Sequence, residues 1–369
     1  PLMTAIQIVS AHIGYVTGEG LAANFKRAFP RPVLLLLVGL LLMANTLNIA
    51  ADIAAMASAV QLLAGGSAHL YAVGFGVASA AMQVFLPYHG YVRWLKWLTL
   101  ALLAYVGVVL VLGLDWGDVL RRTLHPEMRW NRDSLLMLVA VFGTTISPYL
   151  FFWQASQEVE DQATGAGEPH TRHTPQEVKT HLRRIKIDTH IGMGFSNLIA
   201  FFIMLSTAAT LHAAGVTDIQ TSAQAVEALR PVAGEHAALL FALGIIGTGL
   251  LAVPVLAGSA AYAVAEVAGW RGSLSLKLER GEGRGFYGVI AAATLGGVAL
   301  CFTPMDAVKE LFWSAVFNGV TAVPIMVAMM VLASRPAVMG GHAIGRRLRA
   351  MGWLATAVMG VTVLGLAVI

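Results

Sequence analysis

The sequence predicts an all-α integral membrane protein, and three observations predict it. Of 369 residues, 57% are apolar and 12% charged, against roughly 45–50% and about 25% in an ordinary soluble domain. With a mean hydropathy of +0.72, too few polar groups remain to cover a water-facing globule of this size. Apolar runs of about 20 residues, enough to cross about 30 Å of hydrocarbon as helix, recur along the whole chain. The 24 Lys and Arg residues also segregate when successive loops are placed alternately on two sides, 18 on one and 6 on the other. A missed span would invert every later loop, so the split supports the span count independently of hydropathy.

Ten runs carry the prediction, at residues 1–13, 33–63, 70–87, 95–114, 134–157, 190–211, 237–268, 286–302, 311–333 and 352–369. The first is short and starts abruptly. Those from 33 and 237 exceed the membrane and extend beyond it or tilt. Together they read as one transmembrane domain over 1–369, with the 12–32, 158–189, 269–285 and 334–351 loops cytoplasmic and Ile369 outside. No signal peptide opens the chain and its first residue is Pro1, so an earlier segment is expected to be missing.

Several function classes drop out. The single cysteine, Cys301, makes neither an internal disulfide nor a cysteine metal cluster, and it reads as a small buried hydrophobe. A net charge of +4 with no basic domain reflects topology and gives no nucleic-acid partner. There is no phosphate-binding Gly-rich loop followed by Lys-Ser/Thr, hence no sign of ATP-driven work. No catalytic constellation suggests an enzyme.

The longest polar stretch, Glu158 to Asp188, holds six acidic and five basic residues with His170, His173 and His181. Thr174-Pro175-Gln176-Glu177 fits a capping box with proline at the first helical position. A cytoplasmic surface helix is expected to begin there, within a solvated loop over 158–189.

Gly143-Thr144-Thr145-Ile146-Ser147-Pro148-Tyr149 interrupts the 134–157 run at its middle. Pro148 removes a backbone donor and clashes with the carbonyl four residues back, which frees the Thr144 carbonyl. In lipid such a group is tolerated where it lines a cavity or coordinates something. Broken helices at mid-membrane are how secondary transporters build ion sites, although a simple proline kink is the plainer alternative.

A second cluster favours a site. Asn45, Asn48 and Asp52 fall at i, i+3 and i+7, one face of a helix deep within the 33–63 run. Asp52 is the one carboxylate placed well inside the hydrocarbon, where charge is costly and faces a partner, an ion or a water path; interhelical hydrogen bonding is the alternative. Asn318, followed by Gly319, lines a pathway or packs. Gly244, Gly247, Gly249 and Gly258 with Pro254 read as close helix packing. Trp94, Trp97 and Trp353 read as an interfacial belt.

These motifs resemble a known family. Gly143 to Gln154, Gly-Thr-Thr-Ile-Ser-Pro-Tyr-Leu-Phe-Phe-Trp-Gln, resembles the broken sixth helix of the natural resistance-associated macrophage protein (Nramp) family. Arg335 to Gly340 resembles its Met-Gly loop before the last helix, and Val16 to Ala22 its Thr-Gly-x-x-Leu-Ala after the second. The resemblance covers essentially the whole chain. It implies a LeuT-like fold of two inverted five-helix repeats, here 1–114 as the remainder of the first, 134–333 as the second and 352–369 as the final helix. It also implies transport of divalent metal ions, usually Mn²⁺ and Fe²⁺ with protons, and a missing first helix bearing an Asp-Pro-Gly-Asn metal motif.

By that resemblance, Thr144 offers a backbone carbonyl to the metal. Ser147 replaces the family's methionine, exchanging a soft thioether for a hard oxygen compatible with Mg²⁺. Tyr149 and Gln154 replace histidines, which removes groups that titrate near neutrality. Asp52 aligns with an acidic residue of the third helix and is expected to serve proton or charge balance. The implied partners are divalent metal ions, as cargo rather than cofactor, and the lipid of a bacterial inner (plasma) membrane. A carrier of amino acids or another solute on the same fold, and a non-transporting scaffold or sensor, are the alternatives.

Overall fold

Apolar segments without water must satisfy their backbone groups internally, and in the computed structural model every described element is helical. The structure describes all residues except 1, 86–92, 94, 96, 127–130, 166–174, 275, 277–282 and 369. The principal helices are α1 (Leu2–Thr17), α2 (Leu21–Ala28), α3 (Arg31–Ala64), α4 (Ala68–Phe85), α5 (Leu103–Val111), α6 (Trp116–Leu124), α7 (Arg132–Thr145) and α8 (Pro148–Gly165). They continue with α9 (Pro175–Thr207), α10 (Ala237–Ala268), α11 (Arg284–Leu300), α12 (Ala307–Ala333) and α13 (Arg346–Val368).

Among the described residues, seven helical segments are long and apolar enough to cross a membrane. Two of the ten expected runs are shorter helices, α1 and α11. A third, expected over 95–114, is a helical stretch over Thr99–Val111 from which α6 turns away by 114°. The turn passes through Gly113, whose φ of +59° is a left-handed conformation that favours glycine.

The 158–189 segment differs most from expectation. The helix from Pro148 continues to Gly165. A helix does start at Pro175 and runs without interruption to Thr207, so the expected surface helix is the first part of a 33-residue rod that includes the next span. Capping chemistry marks where such a rod starts and says nothing about where it stops. Thr174, His170 and His173 lie outside the described residues, as does Trp94.

α1 is mostly apolar, and every residue from Met3 to Tyr15 is buried, the polar Thr4, Gln7, Ser10 and His12 included, as befits a helix inside a bundle. One apolar core joins α1, α2, α3, α8 and α12, and a second joins α3, α4, α10 and α11. Tyr149 packs against both. Glycines allow the close approaches: Gly249 faces Met56 and Gly258 faces the Trp153 ring, so a Cβ at either would collide. Cys301 is half-buried and its thiol donates to the Ala50 and Gly297 carbonyls, both at 3.3 Å.

Candidate functional site

The break falls where the sequence places it. α7 ends at Thr145, Ile146 leaves helical geometry at φ −108° and ψ 67°, and α8 begins at Pro148. Proline suits a first helical position because its missing N–H would have no partner there, and it pushes the preceding residue out of helix. Ser147 is 2% exposed, and its hydroxyl donates to the Gly143 carbonyl at 2.7 Å and the Thr144 carbonyl at 3.2 Å. The carbonyls that the break frees are therefore served from within it. Donation uses the Ser147 proton and leaves its lone pairs, polarised by the bond, available as acceptors.

Only the backbone of Thr144 takes part in that arrangement. Its hydroxyl donates back to the Val141 carbonyl at 2.8 Å, as does that of Thr145. Both residues line a largely apolar groove with Leu2, Phe142 and Met359.

α7 then presses on α12. A Cβ on Gly143 would overlap the backbone of Ala315 and Gly319, which sets the break beside Asn318. Asn318 and Asn48 exchange amide hydrogen bonds, at 2.8 Å in one direction and 3.0 Å in the other. The Asn48 Nδ2 also donates to the Ala44 carbonyl at 2.7 Å. One turn earlier, Asn45 turns toward α10 and donates to the Leu256 carbonyl at 2.8 Å and the Ser259 hydroxyl at 2.7 Å. Its Oδ1 is buried with no partner among the described residues. One turn later, Asp52 lies within electrostatic range of Tyr149 and makes no hydrogen bond among the described residues. The polar face of α3 is thus divided among three neighbouring helices.

Of the residues singled out from sequence, the structure brings together the 143–147 break, Asn318 and Asn48, with Asp52 within electrostatic range of Tyr149. Gln154 belongs elsewhere. Its Nε2 donates to Glu158 Oε1 at 3.0 Å, and its Oε1 accepts from Gln7 Nε2 at 3.3 Å. Gln7, Glu158 and His181 form a second polar group that sequence reasoning passed over. A glutamine within the mostly apolar α1 was the available signal.

Glu266 was missed as well. Its carboxylate accepts from Ala23 N–H at 3.0 Å and Ser156 Oγ at 3.4 Å, serving the otherwise orphaned first turn of α2. Glu160 similarly accepts from the Tyr262 hydroxyl at 2.6 Å and Leu274 N–H at 3.2 Å. Among the described residues, no three His, Cys, Asp or Glu side chains converge to hold a bare metal ion. The break itself presents backbone carbonyl oxygens and the Ser147 hydroxyl, oxygen groups of the kind hard divalent cations prefer.

Comparison with known proteins gives the same picture of the fold. The structure superimposes on a variant of the Eremococcus coleocola manganese transporter with a TM-score of 0.76 at 16% identity, over 98% of this chain and 77% of that one. The divalent metal cation transporter MntH of Yersinia enterocolitica is 27% identical over 253 residues, 66% of this chain and 58% of the relative. That of Klebsiella pneumoniae strain 342 is 25% identical over 361 residues, 96% of this chain and 80% of the relative. The chain therefore spans 58% or less of the length of several of the curated relatives it matches. The model of the natural resistance-associated macrophage protein-like family matches residues 1–368, and the chain belongs to that family.

Proposed function

We propose that this chain is the body of a secondary transporter of divalent metal cations, located in a bacterial inner membrane and working by alternating access around the break between α7 and α8. The observation that carries the reading is Ser147. A buried hydroxyl donates into the freed carbonyls of the break, whose Gly143 lies against the backbone on either side of Asn318. Discontinuous helices whose unwound backbone faces a cavity are the transporter solution to binding an ion at the midplane. Membership of the family and likeness to proteins named as divalent metal cation transporters support it.

In this reading the Thr144 carbonyl and the Ser147 oxygen face the ion, and Pro148 keeps the helices apart. Asn48 and Asn318 line the path, with Asn45 anchoring α3 to α10, while Asp52 balances charge or carries a proton beside Tyr149. Because Ser147 supplies a hard oxygen instead of a thioether, Mg²⁺ competes with Mn²⁺. Reconstitution into liposomes, with Mn²⁺ and Mg²⁺ uptake measured separately, tests the proposal. Saturable uptake of Mn²⁺ that Mg²⁺ inhibits is expected, and uptake of neither ion above empty vesicles overturns it.

A further inference from the structure

α6 (Trp116–Leu124) has no buried residue, yet it presents Trp116, Leu120 and Leu124, which are 49%, 60% and 65% exposed. At about 100° per residue these three and Val119 fall within an arc of about 140°, while Asp118, Arg121 and Arg122 share the opposite side. A nine-residue helix is too short to persist in water on its own propensity, so its stability calls for a cover over the apolar face.

The bend in the chain indicates that cover. α5 ends in Leu110 and Val111, both exposed, and in a spanning stretch such side chains face lipid. After Gly113 the chain turns by 114°, so α6 runs closer to perpendicular than to parallel with the stretch it leaves. It is no second half of a span. At about 1.5 Å per residue it reaches about 14 Å, less than half of the roughly 30 Å of hydrocarbon, and Asp118, Arg121 and Arg122 would have to enter with it at high cost. The apolar face therefore continues, in the membrane plane, the lipid-facing surface of α5.

The polar face is neutral within itself. Asp118 Oδ2 accepts from Arg122 Nε at 2.7 Å, and its Oδ1 accepts from Arg121 Nη2 at 3.4 Å. Asp115 caps the helix, accepting from the Gly117 and Asp118 N–H groups at 2.8 Å and 3.4 Å. Two carboxylates thus offset two guanidiniums. Basic amphipathic helices draw part of their membrane affinity from anionic lipid, and this one has no net charge with which to do so.

We propose that α6 lies in the lipid–water interface, with Trp116, Leu120 and Leu124 seated at the edge of the acyl chains, and that it does so on zwitterionic as readily as on anionic lipid. Its partner is the bilayer, not a second copy of the chain or another protein. Tryptophan suits the headgroup level, where an apolar ring and a polar N–H are both served. Held there, α6 anchors the start of the segment that leads into α7, the first half of the broken helix. The placement does not depend on the transport reading.

Nitroxide labels at Leu120→Cys, Leu124→Cys and Arg122→Cys, each in a Cys301→Ser background, test it in the full protein reconstituted into phosphatidylcholine vesicles. Oxygen concentrates in hydrocarbon and a nickel chelate in water, so the ratio of their collision rates reports depth. The ratio of oxygen to nickel is expected to be about tenfold higher at 120 and 124 than at 122, and to stay the same when phosphatidylglycerol is added. Free access of nickel to all three labels would leave the helix in water. Poor access of both probes at 120 and 124 would mean that protein covers the face, and insertion only with phosphatidylglycerol would mean that headgroup charge drives it. Each of these results overturns the proposal. Quenching by lipids brominated near the headgroup, compared between the wild type and Trp116→Phe, repeats the test without any cysteine. The emission lost in Trp116→Phe is expected to be the part that bromine quenches, and emission indifferent to bromine overturns the placement.

Discussion

Asn48 on α3 and Asn318 on α12 exchange a pair of amide hydrogen bonds although 270 residues separate them. The pair lies beside the break in α7–α8, because Gly143 rests directly on the backbone of Ala315 and Gly319. Polar pairs between membrane helices contribute modestly, about 0.6 kcal/mol on average, so the pair orients α3 and α12 more than it holds them together. A double-mutant cycle with Asn48→Leu and Asn318→Leu is expected to give a coupling energy of about that size in thermal melts. Uptake is expected to fall in each single variant.

Gly143→Ala places a methyl on the Ala315 carbonyl. Overpacking of this kind costs about 1–3 kcal/mol. The variant should melt at lower temperature and lose uptake together, since α7 and α12 must separate to admit the methyl. An unchanged melting curve would contradict the contact.

Pro148→Ala tests the break itself. Alanine restores an N–H and removes a residue that disfavours helix interiors by about 3 kcal/mol, so α7 and α8 can join across Ile146 and Ser147. Uptake is expected to drop on the order of tenfold, while thermal stability holds or rises because a continuous helix needs no special partners. Loss of stability with normal uptake would mean that the break is packing and nothing more.

Ser147→Met replaces a hard oxygen by a soft thioether. Inhibition of Mn²⁺ uptake by Mg²⁺ should weaken by about tenfold, since Mg²⁺ gains nothing from sulfur. Ser147→Ala should lose uptake of both ions and leave the Gly143 and Thr144 carbonyls without their donor. Equal Mg²⁺ inhibition in the wild type and Ser147→Met would place the ion elsewhere.

Asp52 is the acidic group beside Tyr149. If it carries the charge balance, Mn²⁺ uptake should accelerate under an inward proton gradient in the wild type and lose that response in Asp52→Asn. A pH-sensitive dye inside the vesicles reports both. A full response in Asp52→Asn would assign the proton to another group.

Much of this protein was legible in its sequence because the relevant physics is local. Hydrocarbon forces long apolar runs into helix, so α3, α10 and α12 could be placed within a few residues. Proline acts on its own turn, so the end of α7 at Thr145 and the start of α8 at Pro148 could be read from one heptapeptide. The spacing of Asn45, Asn48 and Asp52 put them on one face because helical periodicity needs no partner. Which partner each meets was decided by the packing of distant segments, α10 for Asn45 and α12 for Asn48, while Asp52 comes within electrostatic range of Tyr149 on α8. The same packing took Gln154 away from the break and gave it to Gln7 and Glu158. Hydropathy had placed Glu158 in a loop because a charged residue ends an apolar run, yet the helix continues to Gly165, with Gln154 one turn back and His181 on α9 supplying Glu158 with the polar company that lipid does not.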